Sequence, residues 1–208
     1  MSAEEWKTIF VNAGSFVIGL ILALGQLYTV WNVKKQNKQS TKKDNINYGE
    51  QIKTENKYTL QIQKEIEELR QVLNADRVQV LEFHNGTDFS TRKGYKMDCT
   101  YEALKYGNEP TRNVLQDYPT TMLPVFINNL IENQEYFVSN IEDIIDEDMS
   151  TYAMKKNIHV SSFFDVVLEL NNAPIGILAV QYVEPTDLNS DQLAMIHAKK
   201  IIVEELLK

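Results

Sequence analysis

The amino-acid sequence predicts an α+β domain, an antiparallel sheet with flanking helices, preceded by one transmembrane helix and a helical stalk. Three observations lead there. The run "FVNAGSFVIGLILALGQLYTVW", Phe10–Trp31, is apolar and carries no formal charge. The segments "VSSFFDVVLEL" and "PIGILAVQYV" are β-branched and apolar, and Asn171-Asn172-Ala173 joins them as a hairpin. Segments of helical period stand before the first strand, between strands and after the last. The chain thus divides into an anchor (1–33), a basic linker with a helical stalk (34–74) and a domain (75–208).

The anchor's 22 residues rise about 33 Å as a helix, enough for a hydrocarbon core of about 30 Å. Trp6 lies just before it and Tyr28 and Trp31 close it, as interfacial aromatics do. A buried core helix is the alternative, but this one is apolar on all sides and abuts lysines. A signal peptide could be cut near Ala23-Leu24-Gly25, yet the leader "MSAEEWK" is acidic and the apolar run continues past that point. Lys34, Lys35, Lys38, Lys42 and Lys43 follow the span, whereas Lys7 alone precedes it, which puts the C-terminal domain in the cytoplasm. Ser15, Gly19 and Ala23 share one helix face, where small residues allow two membrane helices to approach.

The linker "VKKQNKQSTKKDNIN" has no apolar period, and its lysines suit anionic headgroups. From Tyr48 to Asn74 the pattern is helical, with Thr59, Ile62, Ile66, Leu69 and Leu73 on three- and four-residue steps. That seam fits a short coiled coil or a helix packed on its own domain. "RVQVLEF" reads as a strand bounded by Asp76 and a tight turn at Asn85-Gly86. "GYKMDCTY" reads as the returning strand, with Thr87–Gly94 between them as a mobile lid. "TTMLPVFINNLIENQ" is helical, with Pro124 in its first turn. "EYFVSN" is a short strand and "EDMSTYAMKKN" a short helix. After the hairpin, "NSDQLAMIHAKKIIVEELL" closes the chain as a helix with Ser190 as N-cap and Leu193, Ile196, Lys200, Val203 and Leu207 on one face.

Composition excludes several functions. One cysteine permits neither an internal disulfide nor a thiolate metal cage, and it fits a reducing compartment. The three histidines, His84, His159 and His197, lack metal-ligand spacing. From Ala75 onward there are 21 acidic and 11 basic residues, a surface that repels nucleic acid. "IEDIIDEDM" is rich in acids but lacks the alternation and glycine of a calcium loop. No metal site and no catalytic constellation is expected.

The stretch "EFHNGTDFSTRKGYKMDCTYEAL" concentrates the polar candidates. His84 reads as a hydrogen-bonded histidine at a strand end, a ligand-rim group or a base. Glu102 is placed to hydrogen-bond His84 if the two strands pair. Cys99, without a basic neighbour, reads as an inert buried thiol. Gly176 is the kind of strand glycine that admits a close backbone approach.

The segment from Tyr152 to Leu206 resembles a GAF domain. The resemblance rests on Asn157-Ile158-His159-Val160-Ser161 at a strand entry, Pro174-Ile175-Gly176-Ile177-Leu178 in the next strand, and Asp187 to Gln192 opening the last helix. "ADRVQVLEF" resembles the first strand of such domains, so the likeness extends over about Gln71–Leu207. "F-H-N-G" followed by "M-x-C-T-Y-E" also looks like a looser GAF-like group of phage and bacterial membrane-anchored proteins. GAF domains bind small molecules between the sheet and a lid, and they commonly pair through terminal helices. The resemblance therefore implies a ligand pocket formed by Phe83, His84, Asn85, Met97, Cys99, Tyr101, Glu102 and Phe164. The N-K-x-F-D-E signature of cyclic-nucleotide binders is absent, Cys99 is followed by Thr-Tyr-Glu rather than the histidine of bilin attachment, and one cysteine is too few for the methionine sulfoxide reductase type. The cofactor stays unknown.

The resulting expectation is a non-enzymatic sensor or adaptor, anchored in the bilayer and homo-oligomeric, that binds a small molecule or protein partner in the cytoplasm. The alternative is a phage-encoded membrane or virion protein, holin-like forms included, that uses the same fold as a ligand-free scaffold.

Overall fold

A computed structural model describes residues 48–88 and 93–208. The expected transmembrane span, basic linker and small-residue face lie outside the described residues. Among the described residues no helix is long and apolar enough to cross a membrane. Thr54–Lys208 form one compact unit.

Among the described residues, four helices and six strands follow the expected order with one strand, β3, added: α1 (Tyr48–Leu73), β1 (Arg77–Asp88), β2 (Lys93–Leu104), β3 (Tyr118–Pro119), α2 (Pro124–Asn133), β4 (Glu135–Val138), α3 (Met149–Asn157), β5 (Ser162–Leu170), β6 (Ala173–Tyr182) and α4 (Ser190–Leu206). Short 3₁₀ turns at Thr120–Met122 and Ile141–Ile144 lead into α2 and α3. The strands form a single sheet in the order β3-β2-β1-β6-β5-β4, antiparallel at every pairing. The two-residue strand β3 escapes sequence reading because only its pairing to Lys96 and Met97 defines it.

Each face of the sheet supports its own core. On one face, Val78, Val80, Phe164, Val166, Leu178 and Val180 pack with Ile62, Ile66, Leu69 and Leu73 of α1 and Ile196 and Val203 of α4. The apolar seam of α1 is therefore occupied by its own domain. On the other face, Leu81, Met97, Cys99, Phe163, Val167, Ile177 and Ala179 pack with Phe126 and Leu130 of α2 and with Ile141 and Ile144. This double cover explains why β5 and β6 read as nearly continuous apolar runs rather than as alternating ones: neither face meets water.

Local chemistry sets the boundaries. Pro124 occupies the first turn of α2, where its missing N–H costs nothing. Asn171 and Asn172 take φ of 54° and 61° between the paired Leu170 and Ala173, the left-handed pair of a type I′ hairpin turn. At α4 the cap is Asn189 rather than Ser190: its side chain accepts from Gln192 N at 3.0 Å, and Gln192 Oε1 returns the bond to Asn189 N at 2.9 Å. This reciprocal box satisfies two otherwise orphaned donors, which a lone serine one residue later would not.

The expected turn at Asn85-Gly86 does not exist. β1 runs through both residues to Asp88, with Asn85 opposite Tyr95 and Asp88 opposite Lys93. Neither takes a positive φ. Gly86 instead serves a close approach, since a Cβ there would lie 2.3 Å from Gly94 O. Thr87 and Gly94, expected in a lid, belong to the strands.

Gly176 has the same purpose between β6 and β1, where a Cβ would sit 2.2 Å from Leu81 O. That neighbour is backbone in the middle of the sheet and has nowhere to retreat. Gly176→Ala is therefore expected to destabilise the fold by about 2–3 kcal/mol, read as a lower denaturation midpoint at unchanged m-value.

Candidate functional site

At the end of the sheet where β1 and β2 run on toward Asp88, a concavity of about 580 Å³ opens between sheet and α2. β1 supplies Phe83, His84 and Asn85, β2 supplies Tyr95, and the start of β6 supplies Pro174 and Ile175. Ile127 and Ile131, one turn apart on α2, form the opposite wall beside Thr120. Thr120 Oγ1 donates to Tyr95 O at 3.0 Å, tying the 3₁₀ turn to the rim. The walls are mainly apolar, with His84, Asn85 and Thr120 as the polar groups, a composition suited to a small organic molecule.

His84 Nε2 lies 3.1 Å from Asp98 Oδ1. Asp98 in turn accepts from Asp117 N at 2.5 Å, and Lys96 Nζ lies 2.9 Å from Asp117 Oδ1. The expected His84–Glu102 hydrogen bond is therefore absent. His84 stands opposite Lys96 and Glu102 opposite Gln79, so the two are separated by five residue steps, about 16 Å along the strand.

Glu102 belongs to a different cluster. Its Oε1 accepts from Gln79 Nε2 at 2.9 Å, from Thr111 N at 3.0 Å and from Thr111 Oγ1 at 3.1 Å, with Arg77 Nε 3.4 Å away. Arg77 also donates to Gln181 Oε1 at 3.1 Å and to Glu109 O at 2.9 Å. Burial holds the Arg77 guanidinium below its usual range, and the Glu102 carboxylate works against that. This network fastens the segment after β2 onto the sheet.

Of the eight residues assigned to a pocket from sequence, the structure brings three, Phe83, His84 and Asn85, to the concavity. Met97 and Cys99 are buried in the core behind it. Tyr101 and Phe164 pack on the opposite face of the sheet. Tyr95, Ile127, Ile131 and Ile175 were not foreseen; Ile127 and Ile131 carried a sequence signal, the four-residue spacing on α2.

A second unforeseen group lies under α3. Lys155, 1 % exposed, and Asp165, 0 % exposed, pair at 2.7 Å between Nζ and Oδ2. Lys155 Nζ also stands 4.0 Å from the Phe163 ring centroid and 5.4 Å from that of Phe126. Burial pushes the lysine below its ordinary range and the aspartate above its own, each partly offset by the partner. Removing one member leaves a buried charge alone. Lys155→Met and Asp165→Leu are each expected to cost about 3–5 kcal/mol, whereas the double replacement is expected within about 1 kcal/mol of the parent or above it. Denaturant titration of the four proteins, read as a double-mutant cycle, checks this.

Cys99 behaves as expected of a buried thiol. Burial, with Glu102 adding to it, pushes it up to about 12, so the thiolate is about 1,000-fold scarcer at neutral pH than for an ordinary cysteine. Iodoacetamide should leave the native chain unmodified while labelling it fully in denaturant; labelling of the folded chain at the free-cysteine rate would refute the burial.

No protein-family model matches the chain, and no curated protein matches it. Solved structures do. A GAF domain from Synechocystis in its photoproduct state superposes with TM-score 0.58 at 17% identity, over 72% of this chain and 92% of that one. The Thermosynechococcus elongatus PixJ GAF domain, in its blue-light absorbing form, gives 0.53 at 16%, over 72% and 89%. The phycocyanobilin-bound GAF domain of a cyanobacterial phytochrome gives 0.55 at 14%, over 75% and 94%.

The fold is GAF-like. Identities this low carry the architecture alone, and the α+β expectation holds at that level. In this GAF-like domain the sheet face under α2 and α3 is filled by Phe126, Phe163, Leu130 and the Lys155–Asp165 pair, and the concavity sits beyond them at the sheet's end.

Proposed function

We propose that the chain is a membrane-anchored, non-enzymatic sensory or adaptor protein whose GAF-like domain receives a small ligand in the concavity beside His84. The observation that carries this reading is the concavity itself: about 580 Å³, walled by Ile127, Ile131, Ile175 and Phe83, with His84, Asn85 and Thr120 as polar groups. Its size and lining suit a compact, mostly apolar molecule with one polar edge. The uncharged run Phe10–Trp31 supports an anchor in the bilayer, and the lysines behind it support a cytoplasmic domain. Self-association through the small-residue face or the terminal helices belongs to the same reading, as does the absence of nucleic-acid binding.

A second reading has its own support. The filled sheet face, with an ion pair sealed beneath α3, suits a ligand-free scaffold such as a phage membrane or virion protein. Native mass spectrometry of the full chain released from detergent separates the two. The sensor reading expects a non-lipid small molecule bound to the parent and lost in Ile127→Trp, a change that fills the concavity from α2 while far-UV circular dichroism stays unchanged. A bare chain mass in both proteins favours the scaffold.

A further inference from the structure

The rim of the concavity carries a cluster of which the sensor reading uses only His84. We propose that His84, Asp98 and Asp117 form a binding site for a divalent transition-metal cation of the zinc type. The inference does not rest on the concavity taking an organic ligand.

Antiparallel register builds the site. His84 stands opposite Lys96 and Asp98 opposite Glu82, so His84 and Asp98 are diagonal neighbours on one face of the β1–β2 ladder. Asp117 arrives from a distant part of the chain, just ahead of β3, whose Tyr118 pairs with Met97. Its φ of 52° turns the backbone there, and its N–H is fixed on Asp98 Oδ1 at 2.5 Å. One ligand atom from each of the three residues then lies within 4.8 Å of the other two.

The decisive detail is the state of His84 Nε2. It is shielded from solvent and makes no hydrogen bond, although Asp98 Oδ1 is only 3.1 Å away. An imidazole nitrogen close to a carboxylate oxygen but misaligned for a hydrogen bond is what two ligands of one ion look like. With bonds of about 2.0–2.2 Å, neighbouring ligand atoms of a four- to six-coordinate ion stand roughly 2.9–3.5 Å apart. The donor set selects the metal: one imidazole with two carboxylates suits zinc and its first-row neighbours, whereas magnesium and calcium prefer oxygen alone. The His84 and Asp98 side chains are 36% and 33% exposed, so an ion has a path in and open positions for water.

Lys96 completes the argument. Its ammonium, 2.9 Å from Asp117 Oδ1, supplies the positive charge that two carboxylates require in the metal-free protein. That hydrogen bond is the main cause holding the Asp117 carboxyl below its usual range. An entering dication takes over the role and releases the lysine.

The test is calorimetric titration of the untagged full chain, freed of metal by chelation, with zinc chloride and separately with magnesium and calcium chloride. One zinc per chain is expected, with magnesium and calcium at least about 100-fold weaker. His84→Ala and Asp117→Asn should each weaken zinc binding by at least about tenfold, a loss of roughly 1.4 kcal/mol. His197→Ala, on α4 where the imidazole pairs with Glu135, should not. Asp117 is exposed, so the asparagine variant keeps the fold even if a change at His84 does not. Lys96→Met should tighten binding, and loss of binding in it would overturn the proposal, because the lysine is no ligand. The proposal also falls if no zinc binds, or if zinc binds equally well without His84 and Asp117.

Discussion

The neighbouring interior strands β5 and β6 are covered on both faces along most of their length, and most of the structure follows from that constraint. Every buried side chain on them must meet a helix or a turn. α1 and α4 serve one face, and α2, α3 and the 3₁₀ turns serve the other. A strand buried on both sides tolerates a polar residue only with a partner. Asp165 on β5 is such a residue, and Lys155 reaches it from α3. The pair fixes where α3 lies, and the aromatic rings of Phe126 and Phe163 close over the ammonium. The filled face is thus a direct result of the polar residue on β5.

The two ends of the sheet have different tasks. Toward Gln79 and Gln181, buried polar groups hydrogen-bond to one another and to the loop carrying Glu109 and Thr111. That end is closed by hydrogen bonds. Toward His84 and Tyr95 the strands outrun the core, and the helix facing them offers isoleucines rather than aromatic rings. Space remains there because nothing long enough projects into it.

Much of this was legible in the sequence, and the failures have physical causes. Helical period found α1, α2 and α4 because each buries one stripe of residues. The β5–β6 hairpin was plain because two left-handed asparagines and β-branched flanks agree with each other. Asn85-Gly86 misled because glycine answers two needs, a positive φ or a missing Cβ. Only the position of Gly94 across the ladder decides between them. That error moved His84 to a strand end and paired it with Glu102. Once β1 is continued to Asp88, register alone places Asp98 beside His84. Asp117 carried no local signal, since its place depends on a two-residue strand. Lys155 looked like any basic residue near a helix C-terminus, and its burial follows only from the packing of α3 on β5.

The Lys155–Asp165 pair also bears on how this chain can change. Its net worth against two well-packed apolar residues is near zero, yet each single replacement passes through an uncompensated buried charge. A penalty of about 3–5 kcal/mol is a large share of the roughly 5–15 kcal/mol that keeps a domain folded. The pair is therefore held by the barrier between neighbouring sequences rather than by its own stability, and a lineage that acquired it has no easy single step by which to leave.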